Sequence, residues 1–443
     1  MERTYINEVQ KEIGSTVKVQ GFIENLRNSK YMAFIVLKDI TGKLQITVEK
    51  ADHPDLVDTI DKLTPDSVIT VTGKVMENDY VKMGGIEMIP ESIEIESIAD
   101  PLPIVRKEIA ATKKKKAVER SSIDQRIDYR WIDLRTDENQ LMFKAQSCFV
   151  NAMRQFLLER NFIEIHTPKL GRAGAEGGSS QFRVDYFGRK AVLAQSPQLY
   201  KQVMVGVFER VYEIGPVFRA EKHATQRHLN EYTSLDLEMG FLRSFTDLMA
   251  LEQGFLRRLV DLLRREYAGE LALLGAELPD AQHIPAVRFD EAKRLAADAY
   301  GYAIREPYDL EPEEEQHIGR YAKEVWGSDF VFVTHYPGRK RPFYTMDDPE
   351  DPRYTLSFDL LFRGVEITTG GQRIHNYGQQ VEKLKARGME PEDFSGYLLF
   401  HKHGAPPHGG LGIGLERLTM QLCGLDNIRR ASLFPRDRTR LEP

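Results

Sequence analysis

The chain has 443 residues, 41% of them hydrophobic, which is enough for about two to three globular domains. Its formal net charge of −6 excludes a strongly basic surface over the whole molecule, so any nucleic-acid surface must be local. Cys148 and Cys423 form no CxxC motif, which argues against a disulfide framework or a zinc site and favours the cytoplasm. No run of about 18 uncharged apolar residues occurs, so we expect no membrane span.

Residues 15–98 alternate apolar and polar side chains and are rich in β-branched residues, as in 44–48 (Leu-Gln-Ile-Thr-Val) and 67–75. A turn sequence, Asp-Ile-Thr-Gly at 39–42, separates two of these runs. Several short strands at close spacing indicate a small barrel or sandwich, and a five-stranded OB-fold suits this length. We therefore predict an OB-fold domain over residues 1–100.

The composition changes after residue 98, where prolines and a run of four lysines at 113–116 predict a hinge over residues 101–135. The lysine run is either a solvated segment or a contact to phosphate groups. Helical spacing dominates from about residue 140, with strand-like segments between the helices. We therefore predict a larger mixed domain over residues 136–443, in which the acidic run at 311–315 lies on the surface.

Two arginines indicate a nucleotide site. Arg219 lies in Phe-Arg-Ala-Glu at 218–221, and Arg417 follows the glycine-dense run at 409–414. This run has neither the GxGxxG spacing of a Rossmann site nor the GxxxxGK[ST] pattern of a P-loop. The phosphates would therefore be held by guanidinium groups, which bind phosphate oxygens in pairs and keep their charge.

Carboxylates occur in two strand-like segments. Asp236 and Glu238 are two residues apart and should share one face of a strand, which requires cations nearby. Asp359 and Glu366 flank a turn at 363–364, so we expect them at opposite positions of a hairpin, an arrangement typical of magnesium beside a triphosphate. Taken alone, each segment is equally compatible with scattered charges on a surface hairpin.

Residues 195–202 predict a strand end, a turn and a helix that carries Lys201. Ser196 before Pro197 is expected to cap this helix. Taken alone, this segment favours an ordinary capped helix with Lys201 in solvent.

These segments resemble the three signature motifs of class II aminoacyl-tRNA synthetases. Motif one corresponds to the helix and strand ending at 162–168, motif two to 218–238 and motif three to 410–418. Four further segments are similar to aspartyl-tRNA synthetases of the archaeal and eukaryotic cytosolic type: 195–202, 211–219, 227–231 and 432–437. The resemblance covers essentially the whole chain. It implies an α+β protein with an N-terminal OB-fold β-barrel that binds the anticodon, and a catalytic domain in which helices flank an antiparallel sheet.

The resemblance also implies ATP and Mg²⁺ as cofactors, L-aspartate and tRNA(Asp) as substrates, and a homodimer formed through motif one. Arg219 would contact the α-phosphate and Arg417 the γ-phosphate, while Tyr232, where the family often has phenylalanine, would stack on adenine. The other ATP-binding residues would be Glu221, Arg227, His228, Glu366 and Gly414. Magnesium would be held by Asp359, Glu366 and Thr369, the last at a position where relatives have serine.

For the amino acid, the resemblance implies that Lys201 and Arg373 bind the side-chain carboxylate, whereas Asp236 and Glu176 meet the α-ammonium group. Gln198 and Thr369 would complete this pocket. The anticodon residues would be Arg27, Phe34 and Gln45, with Phe34 as a stacking platform. A position in the barrel core is the alternative for Phe34.

Three other functions remain open at this stage. One is a non-discriminating enzyme that charges tRNA(Asn) as well as tRNA(Asp). Another is an asparaginyl-tRNA synthetase, against which Lys201 argues because a neutral amide needs no second cation. The third is a non-catalytic RNA-binding paralogue, against which the complete set of motif arginines and carboxylates argues.

Overall fold

A computed structural model describes residues 1–108, 119–172, 181–222 and 225–442, apart from the side chains of Glu270 and Leu273. Residues 1–121 and 122–443 form two compact units. Glu176 and the lysine run at 113–116 lie outside the described residues. No helix within the described ranges combines the length and the apolar character that crossing a membrane requires.

The first unit is a closed five-stranded barrel with the strand order β1-β2-β3-β5-β4, which confirms the predicted OB-fold. Its core is built by strict alternation: in β2 the side chains of Ala33, Ile35 and Leu37 are fully buried inside. A short helix, α1, lies between β3 and β4. The elements are β1 (Thr16–Asn28), β2 (Met32–Lys38), β3 (Lys43–Glu49), α1 (Val57–Ile60), β4 (Val68–Glu77) and β5 (Ile86–Ser97).

The second unit contains eleven α-helices and eleven strands within the described residues. The helices are α2 (Ile123–Asp128), α3 (Arg130–Asp133), α4 (Asp137–Leu158), α5 (Gln198–Phe208), α6 (Thr246–Glu266), α7 (Ala268–Leu273), α8 (Phe289–Tyr300), α9 (Pro312–Trp326), α10 (Tyr377–Ala386), α11 (Ser395–Lys402) and α12 (Leu415–Leu422). The strands are β6 (Ile163–Glu164), β7 (Leu170–Arg172), β8 (Arg183–Tyr186), β9 (Arg189–Leu193), β10 (Arg210–Phe218), β11 (Glu231–Gly240), β12 (Ala286–Arg288), β13 (Phe330–Thr334), β14 (Ser357–Phe362), β15 (Val365–Gln372) and β16 (His408–Gly414).

An eight-stranded sheet organises this unit, in the order β12-β13-β14-β15-β16-β11-β10-β6. Its pairs are antiparallel except at the two edges, where β12 runs parallel to β13 and β6 to β10. Helices α4 and α6 pack their apolar residues on this sheet to form the largest core, with Phe149, Phe156 and Phe255 among the buried rings. The mixed α+β fold agrees with the prediction.

Two local predictions need correction. Helix α5 begins at Gln198, one residue later than predicted, but Ser196 Oγ still accepts a hydrogen bond from the Gln198 N–H at 3.0 Å. The acidic run at 311–315 does not lie wholly on the surface, because Glu314 and Glu315 are buried in the first turn of α9. Glu314 pairs with Lys293 of α8 at 2.7 Å. Burial of these two carboxylates depends on cations far away in the chain.

Candidate active site

One cleft, on the strands at the centre of the large sheet, brings together nearly all the predicted site residues. Helices α5 and α12 and the loop after β10 add to its wall. The predicted residues that line it are Gln198, Lys201, Arg219, Glu221, Arg227, His228, Tyr232, Asp236, Glu366, Thr369, Arg373, Gly414 and Arg417. Asp359 lies beside the cleft, in contact with one of its lining residues.

A buried network of charges forms one end of the cleft. The Nζ atom of Lys201 lies 2.8 Å from Asp236 Oδ1 and 3.5 Å from Glu238 Oε2. Arg373, which directly follows β15, reaches Glu238, with Nε donating to Oε1 at 2.9 Å. Burial opposes ionisation of Glu238, but the charges of Arg373 and Lys201 outweigh it and lower the pKa of this carboxyl. The network therefore holds two cations and two anions with little access to solvent.

The glycines of β16 leave the space that this network needs. Gly410 lies opposite Glu238 and Gly412 opposite Asp236. A Cβ atom at position 410 would lie 2.1 Å from Glu238 Oε2, and one at position 412 would lie 3.0 Å from Asp236 Oδ1. The glycine run therefore lets two carboxylates approach the backbone of β16 closely.

The other end of the cleft carries the arginines of the phosphate prediction. Arg219 follows β10, and its guanidinium carbon lies 5.6 Å from the centre of the Tyr232 ring. Arg417 lies on α12 and donates from Nη1 to the backbone oxygen of Glu366 at 2.9 Å. The two arginines thus stand on different elements and face one cleft, as the sequence predicted.

Arg227 is held by Glu315, which the sequence analysis had placed on the surface. The two side chains form an ion pair between the loop after β10 and the first turn of α9. Burial raises the pKa of Glu315 to about 7, although the charge of Arg227 opposes this rise. The sequence did not indicate that Glu315 pairs with Arg227, because a cluster of glutamates ordinarily indicates a solvated helix end.

The predicted pairing of Asp359 with Glu366 was wrong in register. Asp359 lies opposite Thr369, whereas Glu366 lies opposite Leu361. The pairing skips Ile367, so β15 carries a bulge at this residue. The extra residue places Glu366 and Thr369 on one face, where Thr369 Oγ1 donates to Glu366 Oε1 at 2.9 Å. Because residues directly opposite each other in an antiparallel pair face the same side, Asp359, which lies opposite Thr369, is on this face as well.

Arg341 is a site residue that the sequence analysis missed. It lines the cleft, its Nη2 atom lies 2.7 Å from Asp359 Oδ1, and its guanidinium carbon lies 3.9 Å from the centre of the Tyr336 ring. Burial raises the pKa of Asp359 to about 6, and the charge of Arg341 opposes this rise. The basic run at 339–341 was the available signal, but such a run ordinarily marks solvent-exposed residues.

In the first unit, the three predicted anticodon residues lie on neighbouring strands of the barrel. Phe34 points away from the core, because its neighbours Ala33 and Ile35 are the buried ones in β2. Arg27 lies opposite Phe34, and Gln45 lies opposite Val36.

The barrel-core alternative for Phe34 is therefore excluded. Glu87 on β5 lies beside Gln45, and its Oε2 atom accepts a hydrogen bond from Gln45 Nε2 at 3.3 Å.

Comparison with known proteins gives the family. Residues 122–438 match the family described as "tRNA synthetases class II (D, K and N)", and residues 17–96 match "OB-fold nucleic acid binding domain". The chain is 46% identical over 443 residues, and over the full length of both chains, to "Aspartate--tRNA(Asp/Asn) ligase" of Thermus thermophilus. It is 41% identical to "Aspartate--tRNA(Asp) ligase" of Picrophilus torridus, over 96% of this chain and 97% of that protein.

Solved structures with the same fold include asparaginyl-tRNA synthetase from Pyrococcus horikoshii complexed with asparaginyl-adenylate. That structure has a TM-score of 0.91 and 29% identity, and the match covers all of both chains. Aspartyl tRNA synthetase from Entamoeba histolytica has a TM-score of 0.88 and 31% identity over 100% of this chain and 93% of that chain. With its family match, its full-length relatives and its cleft of paired arginines and carboxylates, the chain belongs to the aspartate–tRNA ligase family of class II aminoacyl-tRNA synthetases.

Proposed function

We propose that this chain uses ATP to ligate L-aspartate to tRNA(Asp) through an aspartyl-adenylate. The observation that carries the proposal is the buried network of Lys201, Arg373, Asp236 and Glu238 at one end of the cleft. The α-ammonium group of aspartate would meet Asp236, and its side-chain carboxylate would meet Lys201 and Arg373. Asparagine would leave buried cationic charge without its partner, at a cost of several kcal/mol. Gln198 lines the same end, and Glu176 is proposed as a second contact to the ammonium group.

ATP would occupy the other end. Arg219 is proposed to bind the α-phosphate, Arg417 the γ-phosphate and Tyr232 the adenine ring. Further contacts would come from lining residues of this end: Glu221, Arg227, His228, Glu366 and Gly414. Asp359, Glu366 and Thr369 present only oxygen donors on one face of the hairpin, which suits Mg²⁺. When bound, the ion would neutralise charge on the phosphates.

Activation of the amino acid needs no general base in this cleft. The α-carboxylate of aspartate is already ionised and would attack the α-phosphorus of ATP, with pyrophosphate as the leaving group. The protein's part is to place the two substrates and to offset charge as it develops. Arg219 would therefore contribute about 3–4 kcal/mol of transition-state stabilisation, by analogy with the loss of one oxyanion donor.

The tRNA would bind the first unit through its anticodon and would be charged by the second unit. We propose anticodon binding on the outer face of the barrel by Arg27, Phe34 and Gln45, within a domain of residues 1–100. Residues 101–135 would be the hinge and 136–443 the catalytic domain. A homodimer through motif one and a cytoplasmic location complete the proposal; the apolar side chain of Ile163, in the motif-one strand β6, is 44% exposed and available for such an interface.

Charging of tRNA(Asn) is a second candidate activity of the same enzyme. The relatives from Thermus thermophilus and Deinococcus radiodurans, at 46% and 42% identity, are both described as Asp/Asn ligases. Such an enzyme would form the same aspartyl-adenylate. It would differ from an enzyme specific for tRNA(Asp) only in accepting the anticodon of tRNA(Asn) as well. The outer face of the barrel is where this tolerance would arise.

Two measurements test these functions. Aspartate-dependent ATP–pyrophosphate exchange should occur without tRNA, and asparagine should support little exchange; absence of exchange with aspartate would refute the enzyme assignment. Aminoacylation of separate tRNA(Asp) and tRNA(Asn) transcripts with aspartate then decides between the two acceptors. Equal charging supports the second candidate, and charging of tRNA(Asp) alone rejects it.

A further inference from the structure

Glu252 is a buried carboxyl group that the proposed reaction does not use. It lies on α6 and is only 2% exposed, within a helix whose neighbouring Leu248, Phe255 and Leu256 belong to the core. Its Oε1 atom accepts a hydrogen bond from Thr368 Oγ1, whereas Oε2 is buried without a hydrogen-bond partner among the described residues. Burial raises the pKa of Glu252 to about 8, so the group is mainly neutral at pH 7.

Thr368 stands directly beside the β15 bulge. It pairs with Leu360, and the pairing then skips Ile367 so that Leu361 faces Glu366. In a regular strand, residues three apart point to opposite faces of the sheet. At this bulge Glu366 and Thr369 instead meet in the cleft, while the Thr368 side chain points to α6 on the opposite side of the sheet.

The bulge also sets the position of Arg417. The Nη1 atom of Arg417 donates to the backbone oxygen of Glu366 at 2.9 Å. A shift of the bulge would therefore move a carboxylate, a hydroxyl and an arginine of the proposed phosphate end together. In the charge network at the aspartate end, Lys201 lies on α5 and Glu238 on β11, and Arg373 follows the end of β15, six residues beyond the bulge.

We propose that Glu252 is a positioning residue for ATP binding: it holds Thr368 and thereby keeps the β15 bulge in the register that turns Glu366 and Thr369 into the cleft. This inference rests on the proposed function, since it assigns ATP to this end of the cleft. A buried carboxyl costs free energy that an apolar residue at the same place would not. Its bond to Thr368 keeps the threonine hydroxyl from being buried without a partner, which would be unfavourable.

Four single variants and one double variant test the proposal in the full chain. Glu252→Gln keeps an acceptor oxygen and carries no charge. Glu252→Met fills a similar volume but has no acceptor oxygen. Thr368→Ser keeps the hydroxyl, and Thr368→Val replaces it by a methyl group. The KM values for ATP and for aspartate are measured separately by pyrophosphate exchange, ATP binding is measured by calorimetry with and without magnesium, and thermal unfolding is recorded for each variant.

Loss of one buried hydrogen bond should weaken ATP binding and raise the KM for ATP about tenfold in Glu252→Met and Thr368→Val, with the KM for aspartate changed by less than about threefold. Glu252→Gln and Thr368→Ser should restore ATP binding to within about threefold of the wild type. The double variant Glu252→Met/Thr368→Val should bind ATP no worse than the weaker single variant, because both remove the same contact.

The proposal is overturned if the folded Met and Val variants bind ATP like the wild type, or if the KM values for ATP and aspartate rise in parallel. If Glu252→Met does not fold, Thr368→Val against Thr368→Ser decides by the same criteria. Failure of the proposed function gives a different result: the wild type would then show no aspartate-dependent exchange, while calorimetry would still report the effect of Glu252 on ATP binding.

Discussion

The carboxylate of Glu238 takes up the space that any side chain on Gly410 would need, since a Cβ atom there would lie 2.1 Å from Glu238 Oε2. The same Cβ would lie 2.1 Å from the backbone oxygen of Leu237, which cannot move aside as a side chain can. Glycine at position 410 and the charge network of Lys201 and Arg373 are therefore parts of one arrangement. The cleft can bury Glu238 only because β16 has no side chain opposite it.

Gly410→Ala should consequently impair both stability and aspartate activation. Overpacking in a close-packed interior costs about 1–3 kcal/mol, and here the clash displaces the carboxylate that pairs with Arg373. We expect a lower melting temperature and a reduced rate of aspartate-dependent pyrophosphate exchange. Gly414→Ala is the matched control for stability on the same strand, because a Cβ atom there would have its closest contact at 3.8 Å. Equal melting temperatures for the two variants would contradict this account.

Lys201→Met should reduce the preference for aspartate over asparagine. Removing one partner of a buried ion pair costs about 3–5 kcal/mol, and the remaining Asp236 and Glu238 would then repel the substrate carboxylate. The ratio of exchange rates with the two amino acids measures the effect. Lys323→Met is a suitable control because its side chain is 60% exposed in its pair with Asp329. A folded Lys201→Met enzyme with unchanged preference would show that the specificity has another source.

Phe34→Ala should weaken tRNA binding without affecting aspartyl-adenylate formation. A base stacked on an aromatic ring contributes about 1–3 kcal/mol, so the KM for tRNA(Asp) should rise about tenfold or more. Pyrophosphate exchange without tRNA provides the internal control, and Phe34→Trp should retain tRNA affinity because it keeps an aromatic face. If the alanine variant charges tRNA(Asp) with the wild-type KM, the stacking role is wrong.

Acid should destabilise the catalytic unit partly through His408. Burial lowers the pKa of His408 to about 4 from 6.5, although the charge of nearby Glu238 opposes this. The folded state therefore binds a proton less readily than the unfolded state, so stability is complete above pH 6.5 and falls as the pH drops toward 4. The free energy lost between pH 7.5 and 4.5 from this group is roughly 2–3 kcal/mol.

His408→Gln removes this titration and should change the pH profile accordingly. The difference in unfolding free energy between wild type and variant should shift by roughly 2–3 kcal/mol over that pH range. Tryptophan fluorescence reports the relevant transition, because Trp131 and Trp326 are the only tryptophans and both lie in the unit of residues 122–443. Parallel profiles for the two proteins would refute the low pKa of His408.

Local patterns were sufficient for the barrel and for most of the cleft. The alternation at 44–48 predicted a strand whose Leu44, Ile46 and Val48 are buried in the barrel core, and the glycine-dense run at 409–414 predicted the position of the nucleotide site on β16. These features follow from side-chain period and from the absence of a Cβ, which are properties of consecutive residues. They are therefore visible in the sequence without knowledge of distant partners.

The features that were missed depend on residues far away in the chain. The burial of Glu314 and Glu315 requires Lys293 and Arg227, which no local pattern connects to α9. Arg341 belongs to the cleft through its contact with Asp359 on another strand. The predicted pairing of Asp359 with Glu366 was wrong because the turn at 363–364 already pairs Glu366 with Leu361. The extra residue at 367, which has no signature in the sequence, then moves the partner of Asp359 from Thr368 to Thr369. Pairing across strands decides such details.

Because β15 carries one extra residue, a change in the number of its residues would change which side chains face the cleft. Ile367 shifts the alternation of the strand by one residue. Glu366 before it and Thr369 after it therefore both face the cleft, although residues three apart in a regular strand face opposite sides. Deleting one residue here would restore regular alternation and turn either Glu366 or Thr369 away from the nucleotide, even if every chemical group were kept. Among homologous chains, we therefore expect substitutions in this hairpin to be tolerated more readily than a gain or loss of one residue.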